Sequence, residues 1–252
     1  MELLYSWFVF FLFLVFRGDC MEIIGGYEVK PHCRPYMALL NTSNSMCGGT
    51  LIKANWILTA AHCCMTDKTI VVLGAHNRLK REKEQRKFRI LRAVRHPEYN
   101  FETNNNDIQL VQLYGTAKLN RNIKTLSIEN TENDLKNGTI CTTAGWGVTE
   151  EGSKKSSDVL REAILQIVDR NKCKAVYQKI GAEITTDMLC AQGAKSNDDS
   201  CQGDSGGPLI CDGKLRGIVS FGIGCGRPGI PGVYTRLTNY INWINYIINR
   251  AD

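Results

Sequence analysis

The chain has 252 residues, 43% of them hydrophobic and 22% charged, with a formal net charge of +6. That composition excludes a disordered chain, and the length is enough for one large or two small cores. From the N-terminus, Leu3 to Phe16 is almost wholly apolar and ends at Arg17-Gly18-Asp19-Cys20. So short an apolar run suits a secretory signal peptide (residues 1–20) better than a bilayer span. Gly18 and Cys20 are small residues at the offsets that cleavage after Cys20 requires, although Met1-Glu2 supplies no positive charge. The alternative is a membrane anchor; no second apolar run is long enough to span. Cleavage leaves Met21-Glu22 as a two-residue leader before Ile23-Ile24-Gly25-Gly26. Nothing basic precedes Ile23, so a protease that cuts after Lys or Arg could not expose it.

From Ile23 onward the chain holds 30 Lys and Arg against 22 Asp and Glu, a net charge of +8, and ten of the eleven cysteines. A secreted chain with that many cysteines should hold several as disulfides. Asn41-Thr42-Ser43 and Asn137-Gly138-Thr139 are glycosylation sequons, in keeping with the same route. Short β-branched and aromatic runs recur between turn residues: Thr50 to Ile52, Trp56 to Thr59, Thr69 to Leu73, Ile108 to Leu113, Thr139 to Ala144, Ile164 to Val168 and Leu215 to Phe221. Many short strands at such spacing predict an all-β sandwich or barrels. Only the tail reads as helical, with Tyr240, Ile241, Trp243, Ile244, Ile247 and Ile248 at helical spacing from Leu237 to about Asn249.

Three stretches carry chemistry: Leu58-Thr-Ala-Ala-His62-Cys63, Asn104-Asn-Asn-Asp107-Ile and Ser200-Cys-Gln-Gly-Asp204-Ser205-Gly-Gly-Pro. A hydroxyl is a poor nucleophile at neutral pH. It needs a base within hydrogen-bond reach, and the base needs a partner that fixes its tautomer. His62, Asp107 and Ser205 are the residue types required, and His-Asp-Ser is one of the chain orders that build this geometry. Taken singly, each also reads as a turn serine, a core histidine and a turn aspartate.

On these motifs residues 23–252 resemble the chymotrypsin-like (trypsin-fold) serine proteases. The resemblance implies two six-stranded antiparallel β-barrels, at about 23–125 and 126–236, and a C-terminal helix at about 237–249. It implies attack by Ser205 on the scissile carbonyl, proton transfer through His62, and orientation of His62 by Asp107. The backbone N–H groups of Gly203 and Ser205 would form the oxyanion hole. A new ammonium at Ile23 would pair with Asp204, so the uncleaved chain would be a zymogen. Asp199, six residues before the nucleophile, would floor the specificity pocket and select Lys or Arg by charge. Gly222 and Gly232 would leave its walls open, and Ser220 would contact substrate through its backbone. Phe221 stands where the family usually has Trp.

The resemblance also implies disulfides Cys47–Cys63, Cys141–Cys211, Cys173–Cys190 and Cys201–Cys225. Cys33 and Cys64 are left over, and pairing with each other, pairing with another chain and free thiols all stand open. The Glu-ended leader, Ile23-Ile-Gly-Gly, Pro31-His32 and Arg34-Pro35-Tyr36-Met37 are similar to the granzymes, the A and K types above all. That implies storage in cytotoxic or mast-cell secretory granules, with a dipeptidyl peptidase as the activating partner. The A type dimerises through a cysteine before the catalytic aspartate, whereas Pro97 to Asn106 has none. Arg78, Lys80, Arg81, Lys83, Arg86, Lys87, Arg89, Arg92 and Arg95 read either as a solvated loop and strand edge or as a patch for sulfated glycosaminoglycans or acidic proteins. Ala75 stands where trypsins with a calcium loop place a carboxylate, so neither metal nor cofactor is expected. No nucleic-acid partner is expected. Two other readings stand: an extracellular protease of blood or gut, against which the leader speaks, and a noncatalytic homologue that binds proteoglycan or a receptor, against which the intact triad speaks.

Overall fold

The computed structural model describes residues 26–42, 45–128, 134–149, 152–153, 155–194, 204–224 and 227–250. The expected signal peptide, the leader, Ile23, Asp199, Gly203 and the Cys201–Cys225 bridge lie outside the described residues.

The N-terminal half forms β1 (Tyr27–Glu28), β2 (Met37–Asn41), β3 (Met46–Lys53), β4 (Trp56–Thr59), β5 (Ile70–Leu73), β6 (Arg86–Arg95) and β7 (Gln109–Leu113). The C-terminal half forms β8 (Ile140–Gly145), β9 (Arg161–Val168), β10 (Met188–Gly193), β11 (Pro208–Cys211), β12 (Lys214–Phe221) and β13 (Gly232–Arg236). Strands β2 to β7 close into a barrel in the order β2-β3-β4-β7-β6-β5. The second set runs β9-β10-β13-β12-β11-β8, and β8 also pairs with β9, so a second antiparallel ring of six closes. Closure removes the free edges that a short open sheet would expose. β1 lies outside that ring, with Tyr27 and Glu28 paired to Glu162 and Arg161 of β9. The start of the described chain is thus tied to the second barrel, not the first.

Burial explains why the strands read as they do. β4 and β7 are buried at every position, so both faces are covered; β7 buries Gln109 and Gln112 as well, Gln109 donating to the Ala60 and Cys63 carbonyls and Gln112 accepting from Arg92. β6 keeps one face in water, where Lys87, Arg89 and Arg95 are exposed while Phe88 and Ile90 pack inward. The tail forms a 3-10 turn at Leu237–Tyr240 and then α2 (Ile241–Asn249). Ile244 and Ile248 join Leu51, Ile57 and Leu110 in one cluster, so the end of the chain packs on the first barrel. Each such side chain contributes about 1.5–3 kcal/mol.

One helix was not foreseen. α1 (Arg170–Tyr177), between β9 and β10, buries Cys173 and Tyr177 alone. Two buried positions in eight residues make too faint a stripe to see. Its start was nonetheless legible: Asp169 is an N-cap whose carboxylate accepts the Asn171 and Lys172 N–H groups.

The bridges Cys47–Cys63, Cys141–Cys211 and Cys173–Cys190 form as the resemblance implied. Cys33 is disulfide-bonded and Cys64 is a free, exposed thiol, so these two do not pair with each other.

Candidate active site

Asp107 sits immediately before Ile108 and β7, entirely buried. The turn that carries it is built from asparagines: Asn104 and Asn106 have φ of 54° and 57°, a left-handed conformation that Asn tolerates better than most residues. Asn106 is held from two sides. Its amide donates to the Glu98 carbonyl, and its oxygen accepts the Tyr240 hydroxyl, each at 2.9 Å.

His62 follows β4 after two fully buried alanines, Ala60 and Ala61. Its Nδ1 lies 2.7 Å from Asp107 Oδ2, and its backbone N–H donates to Oδ1 at 2.9 Å. A carboxylate only accepts, so the proton sits on Nδ1 and Nε2 keeps its lone pair. The His62 side chain is 26% exposed and that of Asp107 is 0% exposed. The ring therefore faces the cleft while its anchor is dry.

Two further groups fix Asp107, one at its carboxylate and one at its backbone. Ser220 on β12 donates its hydroxyl to Asp107 Oδ2 at 2.5 Å, and Thr235 on β13 donates to the Asp107 carbonyl at 2.8 Å. Ser220 was expected to contact substrate through its backbone; its hydroxyl is in addition a support of Asp107. Thr235, Tyr240 and Asn106 were not singled out at all. They are separated from Asp107 by up to 133 residues in sequence, and only the meeting of the barrels joins them. A polar residue inside an otherwise buried strand, such as Thr235 in Gly-Val-Tyr-Thr, was the one available sign.

Ser205 is brought to this site by backbone packing. Its carbonyl accepts the Gly48 N–H of β3 at 2.8 Å, and the Cys63 sulfur, which is bridged and has no hydrogen to give, touches the same oxygen at 3.7 Å. Glycines make this approach possible. Gly206 has φ of +81°, and a Cβ there would stand 2.6 Å from the Gly48 carbonyl. A Cβ on Gly48 would meet Gly207 Cα at 3.0 Å. The Asp204-Ser-Gly-Gly run is thus the surface by which the second barrel seats its serine beside the first barrel's histidine loop.

Asp204 turns its carboxylate away from that loop. Oδ1 accepts the Gly147 N–H at 2.8 Å, and a Cβ on Gly147 would lie 2.5 Å from Oδ2. Gly145 presses on the same carboxylate. Ile23, the expected partner of Asp204, and Gly203, the expected oxyanion donor, lie outside the described residues, as does Asp199.

Of the expected pocket walls, Gly222 and Gly232 are close: a Cβ on Gly222 would stand 3.8 Å from Gly232 Cα. Behind them the Tyr177 hydroxyl donates to the Pro231 carbonyl at 2.7 Å, and the Tyr177 and Phe221 rings meet edge to face at 5.8 Å.

Comparison with known proteins agrees with this geometry. The trypsin family model matches residues 23–244. The chain is 44% identical to granzyme A of Bos taurus over 239 residues, covering 94% of this chain and 92% of that one. It is 37% identical to cationic trypsin-3 of Rattus norvegicus, covering 94% and 97% of the two chains. Among solved structures, neuropsin, a serine protease expressed in the limbic system of mouse brain, superimposes with a TM-score of 0.82 at 37% identity, over 90% of this chain and all of that one. The chain belongs to the trypsin family and is a trypsin-like serine endopeptidase.

Proposed function

We propose that the protein is a secreted, granule-stored endopeptidase that cuts after Lys or Arg and is activated by removal of Met21-Glu22. The observation that carries the catalytic part is the dry Asp107 carboxylate that holds His62 Nδ1, beside the seated Ser205. Ser205 Oγ attacks the scissile carbonyl as His62 Nε2 takes its proton. His62 then returns the proton to the leaving amine, and water repeats the cycle on the acyl-enzyme. Gly203 and Ser205 N–H groups receive the oxyanion. Asp107 stabilises the imidazolium without accepting its proton.

Support for Lys or Arg comes from Asp199 in the sequence, from the paired glycines Gly222 and Gly232, and from relatives named as trypsins. Support for the activation switch comes from the glycine-lined seat of Asp204 and the leader without a basic end. A new Ile23 ammonium compensates the Asp204 charge and orders the oxyanion loop. Support for storage in cytotoxic or mast-cell granules, with a dipeptidyl peptidase partner, is the similarity to granzyme A. Among the described residues no helix is long and apolar enough to cross a membrane.

The exposed face of β6 favours a second binding property, for sulfated glycosaminoglycan. Lys87, Arg89 and Arg95 are exposed there, and Arg86 is tied to the Lys83 and Gln85 carbonyls. Arg78 and Arg92 contribute less, because Arg78 is tied to Asp158 and the Ser157 carbonyl, and Arg92 to Gln112 and the Trp56 ring. Changing Lys87 and Arg89 to Glu should lower the salt needed for elution from heparin. Unchanged elution would remove the patch.

The deciding assay uses protein made with Ile23 as its first residue, against matched substrates ending in Arg, Lys, Phe, Leu and Asp, with Ser205→Ala as blank. Activity confined to Arg and Lys is expected. Asp199→Ser should then lose that preference while remaining folded, and protein retaining Met21-Glu22 should be nearly inactive. Activity on Phe or Leu would overturn the pocket assignment, and none above the blank would overturn the whole reading.

A further inference from the structure

Asn137, one of the two sequon asparagines, stands on the rim of a groove of about 270 Å³ on the second barrel. The floor is formed by β9 and β10, and α1 forms one wall with Lys172 and Val176. Pro231 closes the far end. Gln166 and Gln192 are direct cross-strand partners in the β9–β10 register, and both face the groove. Neither carboxamide has a hydrogen-bond partner among the described residues. Two adjacent free amides beside Val176 and Pro231 form a site matched to sugar hydroxyls and an acetamido group.

Asn137 is also aimed. Its Oδ1 accepts the Asp169 N–H at 2.9 Å, and Asp169 in turn caps α1. That bond uses the amide oxygen alone, so an asparagine substituted at Nδ2 retains it and keeps its orientation at the groove mouth.

The geometry points to an N-linked glycan at Asn137 that folds back onto the barrel, its first N-acetylglucosamine seated in this groove against Gln166 and Gln192. Attachment transfers the oligosaccharide from a lipid-linked diphosphate donor: the bond from C1 to the phosphate oxygen breaks, the C1–Nδ2 bond forms, and Nδ2 releases one proton. This rests on the secretory reading above. The seated sugar touches Pro231, whose carbonyl is already held by Tyr177 and which precedes Gly232, so it props the outer side of the expected specificity pocket.

The test uses protein secreted from a eukaryotic host, with site occupancy read by mass spectrometry before and after native treatment with a peptide N-glycosidase. Asn41, exposed at the end of β2, is the reference site. The glycan at Asn137 should resist release until the protein is denatured, while that at Asn41 is removed. The Gln166→Ala/Gln192→Ala variant, occupied to the same extent, should release both. Thr139→Ala destroys the sequon but leaves the Asn137–Asp169 bond; it should lower Tm by about 2–4 °C, the effect of roughly one lost contact in a chain of this size, with Thr139→Ser restoring it. An unoccupied Asn137 in secreted protein, or native release as fast as at Asn41, would overturn the proposal. A protected Asn137 on a chain without proteolytic activity would sustain it and refute the proposed function instead.

Discussion

Asp107 concentrates the demands of the site, because one buried carboxylate serves His62 Nδ1, the His62 N–H and the Ser220 hydroxyl at once. Asp107→Asn keeps the shape but offers an amide donor to Nδ1, which favours the wrong tautomer. A loss in kcat of about 10⁴-fold is expected, a figure carried over from the chymotrypsin triad itself. Ser220→Ala removes one hydrogen bond and leaves the Asp107–His62 hydrogen bonds. Its effect should be about 2–13-fold in kcat/KM, the equivalent of roughly 0.5–1.5 kcal/mol. A pH–rate profile separates positioning from general damage: loss of positioning moves the apparent acid limb, whereas misfolding lowers the whole curve. An unmoved limb with full activity would show that Ser220 contributes nothing to the triad.

Between elements, the ties that matter cross from one barrel to the other. Arg34, just before β2, meets Glu162 of β9 through two hydrogen bonds of 2.5 Å, and the Tyr27 hydroxyl of β1 adds a third at 2.9 Å. The Glu162 hydrogen bond outweighs burial and raises the Arg34 guanidinium above its usual range. Glu162→Gln strands that cation where its side chain is only 12% exposed, and should cost about 3–5 kcal/mol in urea unfolding. Arg34→Met/Glu162→Leu should recover most of the loss, since an apolar pair of similar volume avoids desolvation. Gly147→Ala tests a different contact. Its Cβ would stand 2.5 Å from Asp204 Oδ2, so the carboxylate must move off its seat. Activity should fall at least tenfold while the melting temperature changes little, if the Asp204 carboxylate is the partner of Ile23 proposed above. Unchanged activity would mean that the Asp204 seat does not govern the site.

Across the molecule, the C-terminal helix acts as a brace that reports on pH. His96 follows β6 and packs on Tyr240 at 5.3 Å and Trp243 at 5.0 Å. Burial holds its imidazole below the usual value, against the weaker opposing pull of Glu98 and Asp187. The unfolded chain therefore binds a proton at His96 more readily than the folded one. Stability from this residue is complete above the ordinary imidazole value and is lost as pH falls through it, between about pH 7 and 5. His96→Phe should flatten that part of the Tm–pH curve, and a curve of unchanged slope would assign acid sensitivity elsewhere. Burial, with smaller contributions from Asp187 and Asp107, raises the Tyr240 phenol, which keeps the hydroxyl protonated as donor to Asn106.

Some of this was written in local residue patterns. The nucleophile run, the histidine after Ala-Ala, the aspartate after three asparagines and the short strands could be read because each depends on neighbours in the chain. Asparagines tolerate the left-handed turn before Asp107, and glycines permit backbone contact around Ser205, whatever the rest of the molecule does. Other features could not be read this way. Ser220 lies 113 residues from Asp107 and Thr235 lies 128 away, yet both bond to it. The Arg34–Glu162 pair has the same character. These contacts arise when two closed barrels are pressed together, and a contact between surfaces leaves no periodicity in either strand for a sequence pattern to carry.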